Sequence, residues 1–104
     1  MRITDRRAMG QFLSHGVLAT LRTYPYERKL GGTIFIRSLG GKPRIKATVE
    51  KVIVNPSRED LEKHLSISGF RSVDEWLKTA EELHGRNPNR LVVIKVEKDE
   101  RIQA

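Results

Sequence analysis

The segment Pro43 to Val54 sets the tightest limit on the fold. Ile45, Ala47 and Val49 alternate with Arg44, Lys46, Thr48 and Glu50, the period-two pattern of a strand with one buried face. The phase then slips. Lys51 falls on the apolar side, and Val52, Ile53 and Val54 are all apolar. A β-bulge or strong bend near Glu50-Lys51 reconciles the two halves. Long bent strands are the device with which small barrels turn corners.

The remaining elements follow from local signals. Asp5 to Ser14 reads as a helix, with Thr4 as a cap, an apolar stripe of Ala8, Met9, Phe12 and Leu13, and Gly16 as its stop. Val17 to Arg22 and Thr33 to Ser38 read as strands, joined by a loop that carries Pro25 and a Gly31-Gly32 turn. Leu39-Gly40-Gly41-Lys42 is a hairpin turn into the long strand. Ser57-x-x-Asp60 opens a short helix that ends near Leu65, and Ser72-x-x-Glu75 is a capping box. The helix after it places Val73, Trp76, Leu77, Ala80, Leu83 and His84 on one face and ends at Gly85 and Pro88. Leu91 to Val96 is nearly all apolar, as a strand buried on both faces would be. The order is helix, three strands, two helices, one strand, which excludes a simple alternating βαβ stack. It predicts an α+β fold, a small mixed β-barrel packed by three helices.

At 104 residues the chain is expected to form one domain, 1–104. There is no cysteine, so disulfides, thiolate metal sites and a cysteine nucleophile are excluded. No apolar run approaches the roughly 20 residues that cross a bilayer, and Met1 to Gly16 has no continuous apolar core of a secretory signal. These features predict a soluble, cytoplasmic protein without a membrane partner. Asn and Gln are scarce while Glu, Lys and Arg abound, a composition that leans towards a thermophilic source.

The net charge is +7, and it is unevenly spread. Residues 1–54 hold eleven basic and three acidic side chains, a balance of +8; residues 55–104 hold nine and ten, a balance of −1. A positive field confined to one half favours a polyanion, of which nucleic acid is the commonest. The acidic second half leaves a protein partner open.

Two segments resemble the ASCH family of the PUA-like superfamily, over roughly residues 8–98. One is Ser68-Gly69-Phe70-Arg71-Ser72-Val73-Asp74-Glu75-Trp76, with Glu81-Glu82-Leu83-His84-Gly85 and the closing strand Val92-Val93-Ile94-Lys95-Val96-Glu97. The other, His15-Gly16-Val17-Leu18-Ala19-Thr20-Leu21-Arg22, is similar to the family signature Gly-x-Lys-x-x-Glu-x-Arg, in which Thr often replaces Glu. The resemblance implies a PUA-like barrel that binds RNA or a modified nucleotide in a cleft beside the first strand. It places Thr20 and Arg22 on signature positions. The signature lysine falls on Val17 and the signature glycine on His15. An aspartate expected beside Gly31-Gly32-Thr33 is missing. Some members hydrolyse an acetylated cytidine with a lysine, a threonine and a glutamate. Val17 and Ser68 stand at the lysine and glutamate positions, and neither can act as a base, so no catalytic residue is carried over.

The loop Arg22-Thr23-Tyr24-Pro25-Tyr26-Glu27-Arg28-Lys29 joins cations to two aromatic rings, the composition that grips single-stranded nucleic acid. The alternative is that Tyr24 and Tyr26 anchor the loop on the core. Arg37, Arg44 and Lys46 extend a basic stripe if they face outward together. The predicted nucleic-acid-binding set is therefore Thr20, Arg22, Tyr24, Tyr26, Arg28, Lys29, Arg37, Arg44 and Lys46. His15, His64 and His84 lack metal-ligand spacing, and no metal or cofactor is expected. Trp76 reads as a core residue. If the chain is instead a small ASCH-type hydrolase or ribonuclease, His15 beside Thr20 is the candidate base.

Overall fold

Asp5 rather than Thr4 starts the first helix. Its backbone is extended (φ −77°, ψ 130°), and its carboxylate accepts hydrogen bonds from the Arg7 and Ala8 amides at 2.8 and 3.2 Å. An anionic cap satisfies two free N–H groups and also complements the helix dipole, which a hydroxyl does less well. The computed structural model describes residues 1–37, 44–85 and 88–97. The predicted hairpin turn at Leu39–Lys42 lies outside them, as does Ser38 at the predicted end of the second strand. Helix α1 (Arg6–His15) ends where Gly16 adopts φ +73° and donates to the Phe12 carbonyl.

The strands are β1 (Val17–Arg22), β2 (Thr33–Ile36), β3 (Ile45–Val54) and β4 (Arg90–Val96). Helices α2 (Arg58–His64) and α3 (Val73–His84) lie between β3 and β4. The four strands pair antiparallel, not in the mixed fashion expected, in the order β1-β4-β3-β2, because each follows its neighbour in the opposite direction. The last strand in sequence is thus inserted beside the first, which explains why both faces of β4 are apolar. The register of β3 on β4 runs through Val49↔Ile94 and resumes at Lys51↔Val93, so Glu50 is the extra residue of the expected bulge.

The α+β class and the three helices are as expected. The sheet, however, does not close as a barrel: β1 and β2 are its two outer strands. The physical reason is that α1 fills the face that closure would have enclosed. Ala8 and Phe12 pack there with Leu18, Ile34, Ile36, Ala47, Val49, Val92 and Ile94. On the opposite face α2 and α3 contribute Leu61, Val73, Trp76 and Ala80 to a second core with Ala19, Leu21, Leu91 and Val93. At the free edge beyond β2, Met1 to Ile3 pair with Arg37 through Ile3 N–H to Arg37 O (2.8 Å) and Arg37 N–H to Met1 O (2.9 Å). Among the described residues no helix is long and apolar enough to cross a membrane.

Candidate functional site

Along β1 the α1-side face reads Leu18, Thr20, Arg22: an apolar residue, a hydroxyl, then a cation. The core therefore ends at Thr20, and the end of the strand opens into a cleft of about 200 Å³. One wall is the N-terminal segment and the start of α1, from Arg2 to Asp5 with Ala8. The other is the α3 stripe Trp76, Thr79, Ala80, Leu83 and His84, spaced so that each lies on one helix face. Phe70 closes one end. Gly69 lets the preceding chain lie directly on the first turn of α1, and Arg7 stacks over the Phe70 ring at 4.5 Å.

Arg22 anchors the cleft. Its Nε donates to Thr20 Oγ1 at 3.2 Å and its Nη1 to the Arg2 carbonyl at 3.0 Å. The guanidinium thereby links β1 to the segment paired beyond β2, across the gap left by the open sheet. Burial pushes its pKa below the ordinary arginine value. Asp5 is the acidic side chain of the lining. Burial acts to raise its pKa, but the Arg7 side chain and the Arg7 and Ala8 amides outweigh this and hold it below its usual value. Arg7 continues to Glu75 (2.9 Å) and Thr79 Oγ1 (3.1 Å), so Asp5 is committed to the α1–α3 contact.

His84 shares the cleft with Thr20 and Arg22. Burial first, and then the Arg22 charge, hold its imidazole below the ordinary 6.5, against a hydrogen bond to the Leu21 backbone that acts the other way. The folded state thus favours neutral His84, while the unfolded chain takes up a proton near pH 6.5. Stability contributed by neutral His84 is present above that pH and is lost as pH falls through 6.5 towards the folded-state pKa. Denaturant unfolding at pH 7.5, 6.5 and 5.5 is expected to show this fall, and His84→Gln should flatten it. An unchanged pH profile in the variant would remove His84 as its source.

The other predicted site residues gather elsewhere. Tyr24, Tyr26, Lys29, Arg37 and Arg44 line an open groove with Met1, Thr33, Ile34 and Phe35. No carboxylate is in that lining. The loop's own acid, Glu27, is taken by Arg90 across 2.7 and 2.9 Å, which pins the loop to the start of β4. Tyr24 is 50% exposed, stands 4.8 Å from the Tyr26 ring and has the Lys29 ammonium 5.8 Å from its centroid. Tyr26 is a core residue, 9% exposed, so it supports Tyr24 rather than offering a face of its own. Lys46 lies directly opposite Phe35 in the β2–β3 register and so shares its outward side. It is next to Glu97, whose carboxylate accepts from Thr33 and Thr48 and is held below its usual pKa first by those hydroxyls. Arg28 is exposed and lines neither depression.

The structure thus divides the predicted set: Thr20 and Arg22 lie in the cleft, Tyr24, Tyr26, Lys29, Arg37 and Arg44 in the groove, and Arg28 and Lys46 in neither lining. Arg2 lines the cleft and Met1 the groove, so the two sit on either side of the N-terminal segment. Two residues escaped the sequence reading. His84 was legible only as part of an apolar helix stripe. Phe35, 47% exposed, follows from alternation, since Ile34 and Ile36 are buried and the residue between them must point outward.

Val17 and Ser68, which the resemblance sets against a lysine and a glutamate, are both taken up by packing or local hydrogen bonds. Ser68 is fully buried, donates to Leu65 O at 2.7 Å and accepts from the Phe70 amide at 3.0 Å. Val17 packs against the α3-side core. His15 is exposed at the end of α1 and does not line the cleft; the histidine that shares the cleft with Thr20 is His84. Among the described residues no group of three His, Asp or Glu side chains could hold a metal ion. No protein-family model, no curated protein and no solved structure matches the chain.

Proposed function

We propose that the chain binds RNA or a modified nucleotide, through the β1 cleft and the basic groove next to it. The observation that carries this is the groove. It combines Lys29, Arg37 and Arg44 with the exposed rings of Tyr24 and Phe35 and contains no carboxylate. Cations along a track neutralise phosphates, and exposed rings give unpaired bases a surface to stack on. We also read the fold as a divergent PUA-like domain of the ASCH kind, with its barrel left open between β1 and β2. In support, Thr20 and Arg22 stand on signature positions and both line the cleft.

Binding to single-stranded RNA, duplex RNA and single-stranded DNA over a salt series tests this. Single-stranded RNA is expected to bind best, weakening as salt rises. Removing two phosphate contacts in Arg37→Ala/Arg44→Ala should reduce the log–log salt slope by about 1.4. Phe35→Ala should weaken binding by about 1–3 kcal/mol at constant slope if a base stacks there. Lys78→Ala, on the outer side of α3, should change neither. Absence of binding, or equal effects from all of these variants, would remove the proposal.

A second reading, an ASCH-type hydrolase or ribonuclease, gains from one observation: a histidine held neutral lines the same cleft as the Thr20 hydroxyl. A neutral imidazole can accept a proton from a hydroxyl nucleophile. Turnover of RNA or of an acylated nucleoside, lost in both His84→Gln and Thr20→Val, would establish it.

A further inference from the structure

The cleft contains a charge that no carboxylate pairs among the described residues. Arg7, Arg58 and Arg90 each sit on a carboxylate, which raises their pKa values. Among the described residues Arg22 has only neutral acceptors, the Thr20 hydroxyl and the Arg2 carbonyl, and its pKa is lowered. Asp5 cannot compensate it, because one of its oxygens takes the Arg7 and Ala8 amides and the other the Arg7 guanidinium. Drawing a cation out of water without a counter-charge costs several kcal/mol, a cost that a structural arginine avoids by pairing. Arg22 Nη2 has no hydrogen-bond partner among the described residues. None of their fully buried side-chain polar atoms is left unpaired, so Nη2 keeps some accessible surface on the cleft. A guanidinium with free donors at the end of a partly apolar cleft is an anion receptor.

The shape narrows the anion. The cleft is a small depression between the N-terminal segment, β1 and α3, with Phe70 in its lining, rather than a long track. A phosphate inside a strand has to be entered and left by the chain, whereas a terminal one does not. About 200 Å³ lies below the roughly 300 Å³ at which pockets begin to enclose whole ligands. It admits a phosphate group and little of the nucleoside behind it. The Arg22 charge also acts on the Met1 amine and on Tyr26, both in the groove lining, so the end of the cleft and the groove share one field.

We propose that the cleft receives a phosphomonoester, either the terminal phosphate of a strand lying in the groove or that of a free nucleotide, with Arg22 as its anchor. This rests on the RNA reading above. It adds a requirement for a phosphorylated end.

The experiment compares uridine decamers bearing a 5′-phosphate, a 3′-phosphate or hydroxyls at both ends, measured by anisotropy. Uridine 5′-monophosphate, inorganic phosphate and uridine are titrated against the fluorescence of Trp76, which is the sole tryptophan and lines the cleft. One phosphorylated end is expected to bind about tenfold or more tightly than the hydroxyl-ended strand, as for a charge-assisted hydrogen bond. The gain should vanish in Arg22→Gln, persist in part in Arg22→Lys and be complete in Lys78→Ala. Trp76 fluorescence should respond to uridine 5′-monophosphate and not to uridine. If Arg22→Gln fails to fold, Arg22→Lys and competition by inorganic phosphate on the unmodified protein decide. Equal binding of all three decamers with no response to the nucleotide overturns the phosphate site. The RNA reading then stands, because the hydroxyl-ended strand still binds. A gain that survives Arg22→Gln overturns it as well. A nucleotide response without decamer binding keeps the phosphate site, assigns it to free nucleotides and removes the strand reading. No binding by any probe overturns both.

Discussion

Gly69→Ala is expected to lower the unfolding free energy by about 3 kcal/mol or more and the melting temperature by more than about 10 °C. Gly69 has φ +87°, where an L side chain costs roughly 1–2 kcal/mol by itself. The greater cost is steric. A Cβ there would lie 2.3 Å from the Arg7 carbonyl oxygen and 2.7 Å from its carbon, both backbone atoms of the first turn of α1. No rotamer change relieves that contact. Either α1 or the segment before α3 must move, and the cleft wall formed by Asp5, Ala8 and Phe70 moves with it. Gly10→Ala is the matched control. It lies in α1 with nothing within 4 Å of its added Cβ, so it should stabilise by about 0.5–1 kcal/mol through helix propensity. Denaturant unfolding followed by circular dichroism measures both. A Gly69→Ala cost under about 1 kcal/mol would show that the helix and the loop are not rigidly apposed.

Much of the fold could be read before any coordinates, wherever the signal was local. The slip at Glu50-Lys51 marked the bulge, Gly16 and Gly85 marked the helix ends through their left-handed φ, and the unbroken apolar run of β4 marked a central strand. What was misread depended on partners distant in sequence. Ser72 caps α3, but Glu75 does not return the bond expected of a capping box, because Arg7 claims its carboxylate. Glu27 carries no sequence signal of its own role, which is to clamp Arg90, 63 residues away. Strand order and barrel closure rest on pairings between strands distant in sequence, and the face packed by Ala8 and Phe12 of α1 carries no local signal of either. The site divides in the same way. Arg22 and Thr20 were legible through a signature, and Phe35 was available from alternation alone. His84 was not legible, since a helix stripe looks the same whether it faces a core or a cleft.

Trp76→Ala is the second large effect expected, a loss of about 3–5 kcal/mol. Trp76 is 2% exposed and completes the core that α2 and α3 share with β1 and β4. Its ring stacks on Phe70 with centroids 6.5 Å apart and planes 13° from parallel, and the Arg7 guanidinium also lies over the Phe70 ring. The three groups connect the α3 core to the first turn of α1. Removing Trp76 leaves Phe70 with Arg7 alone against its ring, so the loss should include the aromatic pair as well as the buried area. A double-mutant cycle of Trp76→Ala with Phe70→Ala separates the two, with about 0.5–1.5 kcal/mol of coupling expected. The new cavity would open into the existing cleft and could admit water, which places the cost towards the lower end of the range. Trp76→Phe keeps a ring beside Phe70 and should cost less than half as much. Zero coupling would mean that Phe70 is held by Arg7 and the Ser68 turn alone. The end wall of the cleft would then be fixed from the α1 side, and Gly69→Ala would deform it more than any change in α3.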